Sequence, residues 1–365
     1  MSPDKIAVAG YFQPRIDFTY RPEAVPRDRT TYGASDSRTG VMIYGEPTRD
    51  WMYMLHVVVG ANLFDNLTSA QAVDVDGDGT PDDVVTTSQT VAGLIIEEAS
   101  LGVQLGDNVA FKVGQMRIPY TMQHQSPNTA LLFPVRSGPN RVFLTGSDAG
   151  LMFSASGVGG KLRSSLGAFG GSRLTPLSQV GAAEQGPIFS LRIDLAPTGA
   201  FPFGASDLYR GPVRFELGVG ALYSPAAVFD DAGFAQSNVQ DIRVSGSARL
   251  RGHGFYLQGE LLARQRTNSV SDRNDVTIGA YVQAHMLVVQ EPVAIAPIGR
   301  FGWTVEDRDF DPRTTVFAEA GIAIYLRPND PEPDNLTLLI QYVGEFRRTE
   351  GENAHGGLTQ VQKRF

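Results

Sequence analysis

The chain has 365 residues, a formal net charge of −8 and no cysteine. The acidic balance argues against a nucleic-acid partner, and a chain without cysteine can form neither disulfides nor thiolate metal sites. No apolar run approaches the roughly 20 residues of a membrane helix. The first five residues carry no signal-peptide pattern, so we expect either a cytosolic protein or a mature chain that has lost its leader.

Apolar and polar residues alternate along most of the chain with the period of two that β-strands require. About sixteen segments carry this pattern, namely 5–20, 38–45, 49–64, 94–105, 109–117, 151–156, 162–169, 188–195, 213–223, 242–250, 255–266, 276–288, 293–305, 316–326, 336–346 and 358–365. Pro14 lies inside the first segment and predicts a bulge there. No segment holds a 3.6-residue period over three turns, so the sequence predicts one all-β domain over 1–365.

The connections between these strands alternate between short and long. The short ones are 46–48, 106–108, 157–160, 252–254 and 290–292, and the long ones are 21–35, 65–89, 118–147, 171–186 and 224–239. Alternating segments of about ten residues with this asymmetry are typical of outer-membrane barrels. The sequence therefore predicts a transmembrane antiparallel β-barrel of about 16 strands in a bacterial outer membrane, in contact with lipid and lipopolysaccharide.

Three segments carry a resemblance to a known family: EASLGV at 98–103, LGDN at 105–108 and FKVGQMRIPY at 111–120. They resemble the strand–turn–strand signature of the phosphate-selective porin O and P family, and 126–136 is similar to the start of that family's third loop. The resemblance extends over about the first 160 residues. It implies a sixteen-stranded, homotrimeric channel whose third loop folds inward and whose anion preference depends on arginine and lysine in the loop and lumen.

One face of each predicted strand is polar, and this face lines water if the apolar face meets lipid. Alternation places ten basic residues on the lumen wall: Arg15, Lys112, Lys161, Arg163, Arg192, Arg214, Arg243, Arg249, Arg264 and Arg300. Acidic residues are fewer on that face, and a basic lumen favours anions. The alternative is that arginine and glutamate pair across strands and stiffen the wall. Glu97 falls on the apolar side, which predicts either a bulge at 97–98 or a subunit interface.

The long connection 118–147 is the predicted third loop, folded into the barrel as a constriction. It contains Arg136 and Arg141 but no lysine, and no acidic residue lies between them. Prolines stiffen the loop by fixing φ, and its apolar residues can hold it against the wall. We predict that Arg117, Arg136 and Arg141 form the pore constriction and bias the channel toward anions.

The second long loop contains a run of alternating aspartates with interspersed glycines. Asp74, Asp76 and Asp78 resemble the first half of a calcium-binding loop, and Asp82 or Asp83 could complete the shell. The twelfth-position glutamate of an EF-hand is absent. The sequence thus predicts Ca²⁺ in this loop, with a flexible, solvated acidic loop as the alternative.

Enzymatic patterns are sparse in this sequence. No Gly-x-Ser-x-Gly motif is present, and the five histidines are dispersed without metal-ligand spacing. We therefore predict no enzyme but a porin for passive diffusion of small solutes, with a preference for anions. A non-conducting outer-membrane anchor or scaffold and an outer-membrane hydrolase are the alternatives.

Overall fold

A computed structural model of the chain describes residues 6–22, 30–33, 38–48, 50–61, 67–73, 83–89, 92–143, 146–171, 186–201, 207–208, 210–231, 234–268, 273–291, 293–308, 313–326, 336–347 and 353–364. The strands are β1 (Ile6–Gln13), β2 (Arg15–Tyr20), β3 (Thr30–Gly33), β4 (Arg38–Thr48), β5 (Trp51–Ala61), β6 (Leu67–Val73), β7 (Asp83–Gln89), β8 (Ala92–Gly106), β9 (Val109–Arg117), β10 (Ser147–Gly157), β11 (Leu162–Phe169), β12 (Ile188–Leu195), β13 (Arg214–Asp231), β14 (Phe234–Gly252), β15 (Phe255–Asn268), β16 (Arg273–Met286), β17 (Val293–Arg308), β18 (Arg313–Leu326), β19 (Leu336–Arg347) and β20 (Ala354–Arg364). The helices are α1 (Met122–Gln125), a 3₁₀ turn (Asn128–Ala130) and α2 (Gly138–Val142). None of the described helices is long and apolar enough to cross a membrane.

The strands form a closed antiparallel barrel. β1 and β2 are one barrel strand interrupted at Pro14, which has no N–H to donate and marks the predicted irregularity. β1 pairs with β4, and β2 pairs with β20 and β3, so β3 and β4 also count as one strand. Tyr11 lies opposite Arg364, which joins the first strand to the last. With each interrupted strand counted once, the described part of the barrel has the predicted 16 strands.

The wall has the reverse of a soluble protein's burial pattern. Along β12, Phe189, Leu191 and Ile193 are exposed while Ser190 and Arg192 between them are buried. Arg192 is 4% exposed and Phe189 is 47% exposed. Apolar side chains on the outer surface and polar ones inside are expected when the surrounding solvent is lipid. We call the face that carries the buried polar side chains the inner face.

Two predicted loops differ from the structure. Residues 224–231 and 234–239 continue β13 and β14 as a paired ladder with two register shifts, and Asp231 lies opposite Phe234. Pairing with a neighbouring strand overrides the weak local pattern there, because strand propensity depends on context. Within 65–89, β6 and β7 form a separate two-stranded sheet in which Leu67 lies opposite Gln89. The β-branched residues of β7 favour that pairing.

The connection between β12 and β13 is long although it lies at the end of the barrel that carries the short turns. The backbone nitrogen of Ala196 donates to the carbonyl of Lys161 (2.7 Å), and that of His253 donates to the carbonyl of Gly211 (2.9 Å). Lys161 directly follows the short turn 157–160, and His253 lies within the short turn 252–254. We call residues 196–213 the turn insertion.

Candidate pore and inner loop

Residues 118–143, called the inner loop here, fold into short capped helices. Thr121 precedes α1, and its hydroxyl accepts a hydrogen bond from the backbone nitrogen of His124 (3.1 Å). Ser137 caps α2 in the same way through the backbone nitrogen of Asn140 (3.2 Å), and Pro139 lies in the first turn. Ser or Thr at the N-cap and proline in the first turn are helix-start signals. These signals could have located the helices, which the strand-period analysis does not detect.

Glu260 of β15 anchors the inner loop to the wall. Its carboxylate accepts hydrogen bonds from the backbone nitrogens of Met122 (2.5 Å) and Gln123 (3.3 Å). The side-chain amide of Asn140 (2.8 Å) and the hydroxyl of Tyr281 (2.7 Å) donate to the same carboxylate. One buried acid therefore satisfies the otherwise unpaired N–H groups at the start of α1 and connects α1 to α2. The sequence placed Glu260 on the inner face but gave no sign of this role.

Glu97 anchors the loop from β8. The register shifts at this point, so that His56 lies opposite Glu98 and Val57 lies opposite Ile96. The shift confirms the predicted bulge at 97–98 and brings Glu97 to the inner face. There its carboxylate lies 2.8 Å from the guanidinium of Arg117.

Contacts to the inner loop also come from distant strands. Asn128 donates to Glu97 (3.1 Å), Gln362 of β20 donates to the carbonyl of Thr129 (3.0 Å), and Arg300 of β17 donates to the carbonyl of Val135 (2.9 Å). The loop is therefore hydrogen-bonded to strands on several sides of the barrel, namely β8, β17 and β20.

Two of the three predicted constriction residues make structural contacts. The Arg136 guanidinium donates to the Asn128 side chain (2.8 Å) and to the carbonyls of Gln123 and Ser126 (3.3 and 3.1 Å). This is a correction to the prediction that Arg136 points to the aperture, because the carbonyls that end α1 are nearer acceptors. Burial and the charge of Arg117 lower the pKa of Arg136 to about 9, so it stays charged at neutral pH.

Arg141, in the last turn of α2, is the third predicted constriction residue. Its side chain is exposed, and no hydrogen bond or ion pair joins it to another described residue. Arg117, in contrast, is paired with Glu97. Of the three arginines, Arg141 is therefore the one whose charge faces water.

Most predicted wall cations are paired with acids. The paired groups are Arg15 with Asp17 (3.3 Å), Lys112 with Glu98 (3.9 Å), Arg163 and Arg249 with Glu216 (2.5 and 2.7 Å), Arg192 with Asp194 (2.5 Å), Arg243 with Asp241 (2.5 Å) and Arg300 with Glu319 (2.6 Å). Arg214 donates to the carbonyl of Thr198 (2.5 Å), and Arg264 donates to the carbonyl of Val142 (3.4 Å) and to Thr277 (3.3 Å). Lys161 is a correction, because it lies in an exposed turn and not in the wall. Pairing with glutamate on another strand, as the alternative proposes, holds for Lys112, Arg163, Arg249 and Arg300. Arg15, Arg192 and Arg243 instead pair with an aspartate two residues away on the same strand.

The turn insertion is held by the fully buried Asp207. Its carboxylate accepts from the backbone nitrogens of Gly254 (2.8 Å) and Gly211 (3.1 Å) and lies 3.3 Å from the Arg251 guanidinium. The Arg249 guanidinium lies over the ring of Phe201 in the insertion, with its central carbon 4.1 Å from the ring centroid. These contacts fix the insertion to the wall at the short-turn end of the barrel.

The inner loop and the turn insertion meet in one buried apolar cluster. Leu132 and Phe133 of the loop and Phe201 and Leu208 of the insertion belong to it, together with inner-face residues of β15 and β17–β19 such as Ala296. The interior along these strands is therefore filled by protein. On the opposite side, the inner-face residues of β4, β5, β9 and β10 nearer the short turns remain partly exposed, whereas His56, Val58, Met116 and Asp148 farther along these strands are buried. The candidate pore runs along this uncovered side.

Asp74, Asp76, Asp78 and Asp82 lie outside the described residues, and Asp83 begins β7. The calcium site stays a prediction.

These features define a closed antiparallel β-barrel with the architecture of outer-membrane porins. No protein-family model matches the sequence, and no curated protein matches it. Solved structures match over almost their whole length. The anion-selective porin from Comamonas acidovorans is 10% identical, with a TM-score of 0.58 and coverage of 99% of this chain and 100% of that one.

Two further structures are similar to the same degree. The outer-membrane channel DcaP of Acinetobacter baumannii is 13% identical (TM-score 0.57; 100% and 99% covered). OmpF of Salmonella typhi is 10% identical (TM-score 0.59; 100% and 98% covered). At these identities the likeness establishes the fold alone. The chain has the fold of outer-membrane porins, and membership in the phosphate-selective porin O and P family stays a prediction.

Proposed function

We propose that the protein is an outer-membrane porin that lets small solutes diffuse passively through a water-filled channel. The observation that supports this proposal is the partly exposed inner face of β4, β5, β9 and β10 near the short turns, opposite the side of the barrel that the inner loop and the turn insertion fill. A scaffold or anchor has no need of such a path. The likeness to solved porins and channels supports the same proposal.

Conductance of the purified protein in planar lipid bilayers tests the proposal. A porin gives discrete, ohmic current steps in potassium chloride. A folded, membrane-inserted protein without current steps would favour the anchor or scaffold instead. The heat-denatured protein is the control for currents that come from detergent or contaminating porins.

We propose further that the channel prefers anions. Arg141 is exposed on α2 without an acidic partner among the described residues. A unit charge about 8 Å from a passing ion contributes roughly 2 kcal/mol at an effective dielectric constant near 20. The zero-current potential in a potassium chloride gradient measures the preference, and a cation-selective potential would contradict it.

Two further proposals concern the oligomeric state and calcium binding. The resemblance to the phosphate-selective porins implies a homotrimer in outer-membrane lipid and lipopolysaccharide, which the mass of the detergent-solubilised protein can test. Calcium bound at Asp74, Asp76 and Asp78 should protect residues 65–89 from protease. Equal cleavage with calcium and with chelator would contradict the calcium proposal.

A further inference from the structure

A lysine flanked by methionines crosses the uncovered side of the barrel. Met52 of β5 lies opposite Gly102 of β8, Gly102 lies opposite Lys112 of β9, and Lys112 lies opposite Met152 of β10. Directly opposed residues in a sheet point to the same face. We call Met52, Gly102, Lys112 and Met152 the methionine row.

Gly102 leaves the space in which its neighbours meet. A Cβ atom at Gly102 would lie 2.7 Å from Cγ of Met52 and 3.2 Å from Cγ of Lys112. The thioether chain and the lysine chain therefore both lie over this glycine. The result is a cation next to a flexible apolar surface, with no intervening side chain.

The apolar surface continues onto the neighbouring strands. Met54 lies opposite Ser100, which is buried on the inner face, and Tyr44 lies opposite Met54. Met42 lies opposite the buried His56, which contacts Glu97 at 3.3 Å. Tyr44 is 39% exposed. The methionines of β4 and β5, Met42, Met52 and Met54, are all partly exposed.

A purely structural role would bury these side chains. Inner-face residues at the same end of the barrel on β17, Ala294 and Ala296, are fully buried by the apolar cluster. Met52 and Lys112 instead stay partly exposed in a lumen that is usually polar, and Met152 keeps partial exposure although it packs against a second buried apolar cluster. Exposed apolar patches that are retained in this way mark binding surfaces.

The chemistry of the row selects an amphipathic anion. Methionine sulfur is polarizable and contacts aromatic rings favourably, and its flexible chain adapts to ligands of different shape. The Lys112 side chain is 27% exposed, and its ammonium is 3.9 Å from the nearest Glu98 oxygen, which is longer than a hydrogen bond. A solute carboxylate can therefore approach the ammonium while its body lies on the methionines.

We propose that the methionine row, with Met42, Tyr44 and Met54, is a transit site for organic carboxylates that have an aromatic or aliphatic body. This inference rests on the proposed porin function and names its substrate class. Small, strongly hydrated anions gain nothing from an apolar wall, because they would lose hydration there without replacement.

Permeability of benzoate relative to acetate tests the proposal in planar bilayers under bi-ionic conditions with sodium salts. Acetate is smaller and passes faster through a pore that sorts by size alone. We expect wild-type channels to pass benzoate at least as well as acetate. The Met52→Gln/Met54→Gln/Met152→Gln variant should pass benzoate several-fold less well relative to acetate, and the matched triple leucine variant should retain the wild-type ratio.

Binding of 2-naphthoate to the protein in nanodiscs, followed by its fluorescence against empty nanodiscs, keeps the inference testable without conduction. Lys112→Gln should weaken this binding several-fold. Acetate preference in the wild type with an unchanged ratio in the glutamine variant would overturn the transit site, as would naphthoate binding that is absent or unaffected by Lys112→Gln. Absence of current with intact naphthoate binding would overturn the porin function alone.

Discussion

The Glu260 carboxylate lies 2.5 Å from the backbone nitrogen of Met122, so a wall residue of β15 fixes the first turn of α1. The same carboxylate accepts from Gln123, Asn140 and Tyr281. Four donors converge on one acid, and hydrogen bonds to a charged group contribute about 1.5–3 kcal/mol each. This arrangement makes Glu260 the most sensitive point at which to release the inner loop.

Glu260→Gln should loosen the inner loop without unfolding the barrel. Glutamine offers one acceptor oxygen, so some of the four donors lose their partner and the amide nitrogen faces another donor. We expect higher and noisier single-channel conductance, and faster proteolysis within 118–143. Glu345→Gln is the control, because Glu345 pairs with Arg347 and makes no contact with the loop. Identical conductance and proteolysis in the two variants would exclude the anchoring role.

Arg141→Glu should lower the anion-to-cation permeability ratio several-fold. The charge change of two units occurs on an exposed side chain that no described acid compensates, and its effect should fade at 1 M salt, where screening shortens to about 3 Å. Zero-current potentials measured at low and high salt check both statements. Lys161→Glu is the matched control, since Lys161 carries the same charge in an exposed turn at the barrel rim. An unchanged ratio in the Arg141 variant would place the selectivity on the wall arginines.

Arg136→Gln should affect the stability of the inner loop more than ion selectivity. The guanidinium donates to Asn128, Gln123 and Ser126, and the shorter amide cannot reach all of them. We expect a loss of about 1–3 kcal/mol in loop stability, as when buried hydrogen bonds lose one partner. Limited proteolysis of the loop and the zero-current potential separate the two effects. A large shift in selectivity with normal protease resistance would instead support the prediction that the Arg136 side chain lies at the pore constriction.

The sequence predicted the wall better than the interior, for a physical reason. Alternation is a local property of the sequence. In strands such as β12, every second side chain meets lipid and the others face the polar interior, so the pattern repeats along the whole strand. Pro14 and Glu97 violate the local pattern and were correctly predicted as irregularities. Residues 224–231 and 234–239 carry a weak pattern, and pairing between β13 and β14 decides their structure instead.

The interior depends on contacts between segments far apart in sequence. The position at which α1 ends decides whether the Arg136 side chain points to the aperture or to backbone carbonyls such as that of Ser126. Strand periodicity does not reveal this position. Asp207 orders the turn insertion through Gly211, Gly254 and Arg251, and only Gly211 is close to it in sequence. Alternation along β5 places Met52 and Met54 on one face, which is the inner face in the structure. Which part of that face stays uncovered depends on the packing of the inner loop and the turn insertion.

His124 connects the inner loop to the start of β10 and is sensitive to pH. Its Nε2 atom lies 2.7 Å from the carbonyl oxygen of Gly146. Burial, followed by the positive charges of Arg136 and Arg117, lowers the pKa of His124 to about 3, against the opposing effects of the hydrogen bond to Gly146 and of the nearby Glu97. A released loop exposes the histidine and restores its ordinary pKa near 6.5. The packed loop therefore binds fewer protons than the released loop between these two values.

The packed loop should consequently lose stability as the pH falls from 6.5 toward 3, by about 1.4 kcal/mol for each pH unit. At pH 5 the loss is of the order of 2 kcal/mol, which should raise the fraction of channels in a wider, noisier state. Single-channel recordings at pH 7.5 and pH 5 measure this fraction. His124→Gln should reduce the pH dependence, because its side-chain amide can donate to Gly146 but does not titrate. Equal conductance states of the wild type at both pH values would show that the loop stays packed and that His124 does not control its release.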